Sequence, residues 1–255
     1  MTALVIEAGD CYTDSNNSDA VGIGVLWPDY SIGDLLIVNI HMWNGNPYGA
    51  NRTISSWPNG WDGETFTVVV NTSGATGNDT VRIAIGYYIA TDDYTNPGTQ
   101  DMQFIASANT RFATVTVVVP AGEFNADDPI SSAFDDKDGT GTTPNFDAFS
   151  ANSDDTDGKM LVFVGADQDP VTGTPTGYTE LAETDGGRAA VNLGGRDAAV
   201  TSSESISASA GWTIATDDWS VYAYIVKTFV ASGTINNETL QDLTSCVVED
   251  GSPIQ

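Results

Sequence analysis

The chain has 255 residues and carries 35 Asp and Glu against 8 Lys and Arg, a formal net charge of −27. Phosphate binding needs clustered cations, and here they are scattered singly, so nucleic acid is not an expected partner. No run of 18 apolar residues occurs, which excludes a transmembrane helix, and the length suits one all-β domain burying roughly 70–75% of its unfolded surface.

Helical periodicity is almost absent, and short alternating segments bounded by Gly, Pro, Asn and Asp predict strands. Taken in order, these are Ala3–Ile6, Val21–Trp27 and a segment from Leu35 to Trp43. In the last, Leu36, Val38, Ile40 and Met42 share one face, and Leu35, Ile37, Asn39, His41 and Trp43 the other. Thr65–Val70 follows, then Val81–Ala90, where Val81, Ile83, Ile85, Tyr87 and Ile89 form an apolar row. Met102–Ala106 and Phe112–Val119 complete the first half. From Asn125 to Gly158 the chain is acidic and poor in apolar residues, and reads as a crossover inside one domain. Lys159–Val164, Ala189–Leu193, Ser205–Ala208 and Trp219–Val226 come next, and Leu240–Val248 lies in a tail over 232–255 suited to an edge strand or a subunit contact. About a dozen short strands predict a two-sheet antiparallel β-sandwich of jelly-roll type.

Two stretches repeat the same succession of features. Gly33-Asp34-Leu35-Leu36-Ile37-Val38, Pro58-Asn59-Gly60-Trp61, Val81–Ala90 and Phe112–Val119 are echoed by Gly158-Lys159-Met160-Leu161-Val162-Phe163-Val164, Pro175-Thr176-Gly177-Tyr178, Arg188–Arg196 and Trp219–Val226. The spacing exceeds that of solenoid repeats and points to two diverged half-repeats, about 20–120 and 158–230, within a single domain spanning 1–231. Each half supplies strands with an apolar face, and such faces are expected to pack on each other.

Little here suggests catalysis, and the chain is not expected to be an enzyme. His41 is the only histidine and reads as a strand residue; no Gly-x-Ser-x-Gly elbow or Gly-x-x-x-x-Gly-Lys loop occurs. Carboxylate pairs for glycoside hydrolysis are uninformative in so acidic a chain. Zinc lacks ligands, with two distant cysteines, Cys11 and Cys246, expected as free thiols. Calcium has a candidate set: Asp135, Asp136 and Asp138, and Asp154, Asp155 and Asp157, each before a turning Gly139 or Gly158. These resemble the start of an oxygen-ligand loop without completing its spacing. Tyr48 and Trp57, beside Asn44-Gly45-Asn46-Pro47 and Pro58, are candidate glycan-stacking rings. The N-terminus lacks a basic leader segment and meets Asp10 early, so synthesis in a cytoplasm without a signal peptide is expected.

The motifs Gly33-Asp34-Leu35-Leu36, Pro58-Asn59-Gly60-Trp61, Pro129-Ile130, Gly158-Lys159-Met160-Leu161-Val162, Pro175-Thr176-Gly177-Tyr178 and Trp219 before an aliphatic strand resemble a β-sandwich family in structural proteins of tailed viruses of bacteria and archaea. The resemblance spans about residues 3–230 and brings no catalytic residues. It implies a place on the virion surface, contacts with major capsid or tail proteins, and a symmetric oligomer such as a trimer. Fibres attach such a domain to a long shaft, which this sequence lacks, so a capsid decoration or short spike protein is the expectation. A receptor-binding module for host-surface glycans is the alternative, and neither reading involves a membrane.

Overall fold

The computed structural model describes residues 3–44, 53–57, 67–71, 80–91, 93, 104–167, 170–185, 187, 189–207, 209–215 and 217–229. Its strands are β1 (Cys11–Ile23), β2 (Leu35–Asn44), β3 (Ile54–Ser56), β4 (Thr67–Asn71), β5 (Thr80–Ile89) and β6 (Phe104–Val119) in the first half. The second half holds β7 (Ile130–Gly141), β8 (Asn145–Phe146), β9 (Phe149–Ser150), β10 (Lys159–Ala166), β11 (Tyr178–Asp185), β12 (Ala190–Arg196), β13 (Ser205–Ile206), β14 (Ser209–Ala210) and β15 (Asp217–Val226). No helix among the described residues is long and apolar enough to cross a membrane.

The first half builds one antiparallel sheet, ordered β1-β6-β2-β5-β4, with β3 attached to β6. The second builds another, ordered β7-β15-β10-β12-β11. Setting β3 and the four two-residue strands aside, both halves arrange their strands as first, last, second, fourth, third. The sheets pack face to face with β2 against β10, β6 over β12 and β5 over β15. Exchanging the halves exchanges those last two contacts, so a pseudo-twofold axis runs between β2 and β10. The fold is an all-β sandwich in which each sheet comes wholly from one half of the chain.

Alternation decides the layers. Leu35, Ile37, Ile83, Ile85, Val115, Val117 and Val119 from the first sheet meet Leu161, Phe163, Val191, Leu193, Tyr222, Tyr224 and Val226 from the second in one shared core. The opposite faces are buried too, each beneath its own half's connections. Leu36, Val38, Ile40 and Met42 pack under Val25, Trp27 and Tyr30, while Met160, Val162, Val164 and Ala223 pack under Phe146, Ile206, Trp212 and Ile214. Both halves solve one packing problem alike. The Trp57 ring lies on Gly86 and the Trp212 ring on Gly194, where a Cβ would meet ring carbons at 2.5 and 3.1 Å. These glycines occupy matching places, opposite Val38 on β2 and Val162 on β10, yet the two tryptophans come from different loops.

The register corrects the sequence-level match of Gly33 with Gly158. Leu35 pairs with Val119, the last residue of β6, and Lys159 with Val226, the last of β15, so Leu35 corresponds to Lys159 at an offset of 124 rather than 125. The entry turns agree. Gly33 and Asp157 both have positive φ, +90° and +64°. The Gly33 N–H donates to Ala90 O and the Ala90 N–H to Asp34 O, just as Asp157 N–H donates to Val200 O and Val200 N–H to Gly158 O. A slip of one residue moves every side chain to the other face; aligning the two glycines would set inward Leu35 against outward Met160. The match of Phe112–Val119 with Trp219–Val226 holds in register.

Other segments also differ from expectation. Ala3–Ile6 is not a strand; Leu4 and Ile6 are buried in the shared core, and Leu4 N–H donates to Asp157 O at 2.9 Å. Met102–Ala106 and Phe112–Val119 prove to be one strand as far as described, β6 from Phe104. The acidic crossover 125–158 contains β7, β8 and β9. Val21–Trp27 forms only the end of β1 and an isolated bridge, and the predicted Leu240–Val248 lies outside the described residues.

Candidate functional site

The axis brings two corresponding residues into contact. His41 on β2 and Gly165 on β10 match at the same offset of 124, and a Cβ on Gly165 would lie 2.5 Å from His41 Nδ1. His41 Nε2 donates to Ala166 O at 3.1 Å, and the ring is fully buried. One turn of the pleat away, Asn39 Nδ2 donates to Val115 O, and Tyr224 donates its hydroxyl proton to Asn39 Oδ1 at 3.0 Å. Burial, with an adjoining hydrogen bond to Asn39 working against it, pushes the Tyr224 phenol well above its usual range. Asn39 and Tyr224 satisfy each other between the sheets, and His41 is a strand residue in the core, as its alternation suggests.

The six candidate calcium ligands separate into distinct roles. Asp135, Asp136 and Asp138 lie on strand β7 rather than in a loop, paired with Ala223, Tyr222 and Ser220 of β15. Asp135 faces outward and its Oδ2 accepts from Asp147 N–H at 2.7 Å; burial, relieved in part by that bond, raises its carboxyl above the usual range. Asp136 and Asp138 face the other way. Asp154 and Asp155 sit in a short 3-10 turn, Ser153–Asp155. Asp155 is fully buried, and its Oδ2 accepts from Ser131 Oγ at 2.7 Å and Asn152 N–H at 2.6 Å. Asp157 supplies the positive-φ residue before β10.

A lysine ammonium serves the acids of that turn. Lys227, buried just after β15, donates from Nζ to Asp154 Oδ2 and Asp128 Oδ2, each at 2.6 Å. The Lys227 hydrogen bond holds the Asp154 carboxyl below its ordinary value. Burial acts against the charge on Lys227, but its bonds to Asp128 and Asp154 outweigh it and raise the pKa. Among the described residues no group of three or more His, Cys, Asp or Glu is placed to hold a metal ion. Sequence reading missed Lys227 and Asp128, although a lysine closing an aliphatic strand in a chain with three lysines was a usable signal.

Of the two candidate glycan rings, Tyr48 lies outside the described residues. Trp57 is half-buried, with one face on Gly86 and its edge toward Phe104 at a centroid distance of 5.5 Å. It lids the outer face of the first sheet. Cys11 is a free, buried thiol whose pKa burial, helped by Asp10, pushes up to about 12, which makes it unreactive. Cys246 lies outside the described residues. A shallow recess between β11 and β12, lined by Val171, Glu183, Asp185 and Val191, opens to solvent.

The described surface therefore offers the four outer edges of the two main sheets, those of β1, β4, β7 and β11. The edges are its least committed hydrogen-bonding groups. No protein-family model, curated protein or solved structure matches this chain.

Proposed function

We propose that the protein is a structural component of a tailed-virus particle, a capsid decoration or short spike protein that works by protein–protein contact on the virion surface. The observation that carries this reading is where the resemblance motifs fall. Gly33-Asp34-Leu35-Leu36 and Gly158-Lys159-Met160-Leu161 open the two axial strands, Pro129-Ile130 opens β7, Pro175–Tyr178 turns into β11, and Trp219 lies at the start of β15. Motifs that recur at strand entries mark a scaffold whose identity lies in its architecture. A body with both sheet faces buried leaves edges and loops for contact, which suits docking. The high negative charge suits salt-screened association with other virion proteins.

Electron microscopy of particles assembled with and without the protein tests the proposal. Density that disappears with the protein, and returns when it is added back, is expected; identical density would overturn it. A trimer is proposed from the resemblance, and mass measurement in low and high salt, with and without calcium, reads it directly. The glycan-binding alternative rests on Tyr48 and Trp57; array binding abolished by Trp57→Ala with the fold intact would replace the structural reading.

A further inference from the structure

We propose that the free edge of β7 is a docking site for an extended, basic segment of a partner protein, which adds to the second sheet as a further strand. This inference stands on the local geometry and does not depend on a virion role.

Three residues of β7 point in one direction: Phe134, Asp136 and Asp138, spaced roughly 7 Å apart along the strand. They pair with Tyr224, Tyr222 and Ser220, which face the first sheet. Phe134 stacks on Tyr222 with centroids 5.4 Å apart, yet 47% of it remains exposed. The internal symmetry supplies the contrast. The residue of β1 corresponding to Phe134 is Cys11, opposite Val117 as Phe134 is opposite Tyr224, and Cys11 is only 9% exposed. Strand β1 lies beneath β11 of the facing sheet. Symmetry assigns β4 the same duty over β7, but β4 as described is five residues long where β11 has eight, and Asp136 and Asp138 are exposed along with Phe134. The inner row of β7 is thus uncovered where its counterpart is covered.

Among the described residues the edge is open as well. On one side β7 forms a ladder with β15; on the other it forms none with a described residue. Beyond the ladder, Ser131 and Ser132 at its start bond Asp155 and Asn152, and outward side chains link Asp135 to Asp147 N–H and Lys137 to Asn145 and Asp147. Strand addition satisfies such an edge through main-chain bonds, and alternate side chains give specificity. An added strand places one apolar residue beside Phe134 and cations beside Asp136 and Asp138, because directly opposed side chains share a face. Strand β11 is also acidic at an edge, with Glu180, Glu183 and Asp185, but its inner face is occupied by β1.

The full chain is titrated with the peptide Thr-Lys-Thr-Lys-Thr-Leu-Thr and with a peptide of the same composition whose lysines are adjacent. The alternating peptide is expected to bind at least tenfold more tightly and to slow amide exchange across residues 132–141. Asp136→Lys with Asp138→Lys should abolish that preference, and Phe134→Ser should weaken binding several-fold; all three side chains are exposed, so the fold is retained and checked by circular dichroism. Equal binding of both peptides would reduce the effect to general attraction by an acidic chain and overturn the proposal. So would binding without protection of β7, or protection that grows with protein concentration alone, which would make a second copy the occupant.

Discussion

At the axis the two halves meet as matched partners, His41 against Gly165, whereas at the rim the corresponding residues Cys11 and Phe134 have opposite fates, one buried and one half-exposed. The centre tolerates only complementary divergence, His41 filling the space that Gly165 leaves, because both halves share one core there and a change on either side is felt by the other at close-packed density. The rim is free to diverge because each edge strand answers only to its own neighbour and to whatever lies opposite. Symmetry in this molecule is held by packing at the middle and lost where packing ends.

The sharpest way to break the comparison is at the axis. Gly165→Val forces a branched side chain into the His41 ring, and overpacking at a fully buried site is expected to cost about 3 kcal/mol, read as a fall in the urea midpoint. A cost below about 0.5 kcal/mol would mean the sheets are not in close contact there. Next in size is Tyr224→Phe, which leaves Asn39 Oδ1 without its donor; about 1–3 kcal/mol is expected for an unsatisfied buried acceptor, with Val117→Ile on the corresponding strand as a packing control.

The entry turns sharpen it further. Gly33→Ala places a side chain in the left-handed region, where Asp157 already carries one, and should destabilise by roughly 1 kcal/mol. Asp157→Gly should be neutral or stabilising by a smaller amount. If the two substitutions shift stability in the same direction, the turns are not equivalent.

The smallest effect concerns a pair with no counterpart in the first half. The Asp154 carboxyl is held low by Lys227, so its contribution is present above the ordinary value of 3.8 and is lost as pH falls through the lowered one. Lys227 is raised above 10.5, so its contribution is present below that value and is lost as pH rises through the raised one. Lys227→Met should therefore flatten the stability profile on both flanks while changing mid-range stability by about 1 kcal/mol or less, since both carboxylates are more than half exposed. An unchanged profile would show that solvent screens the pair completely.

What was legible in the sequence follows the layers. Strands β2, β5, β6, β10 and β15 were readable because both their faces are buried and still alternate in kind, as with Leu36, Val38 and Ile40 against Leu35, Ile37 and Asn39. Of the edge strands, β4 was readable as Thr65–Val70 and β1 only at its end, while β7 and β11 were not. In β7 the exposed row of Phe134, Asp136 and Asp138 alternates with Asp135 and Lys137, so its pattern is one of charge and imitates a solvated linker. Strand β1 opens with Cys11-Tyr12-Thr13-Asp14-Ser15, too polar to announce a ladder that β6 completes from a hundred residues away. The acidic clusters are ambiguous for a related reason: clustered Asp signals a turn or an edge as readily as a ligand set, and the sequence does not reveal that Lys227 is aimed at Asp154. The duplicated Gly-x-Leu-like signature located the repeat but misplaced it by one residue, because Asp157 performs the turn that Gly33 performs in the first half.

The strand order has a consequence for biosynthesis. In each half the first strand finds its sheet neighbour only in the last, β1 with β6 and β7 with β15, so a growing polypeptide must hold one ribbon unpaired while the intervening chain leaves the ribosome. Pairings this distant form slowly and expose sticky margins in the interim. Hydroxyl, amide and carboxylate side chains on those two waiting ribbons act as gatekeepers, which gives the polar character of β1 and the acids of β7 a task during translation that precedes any they perform in the folded protein.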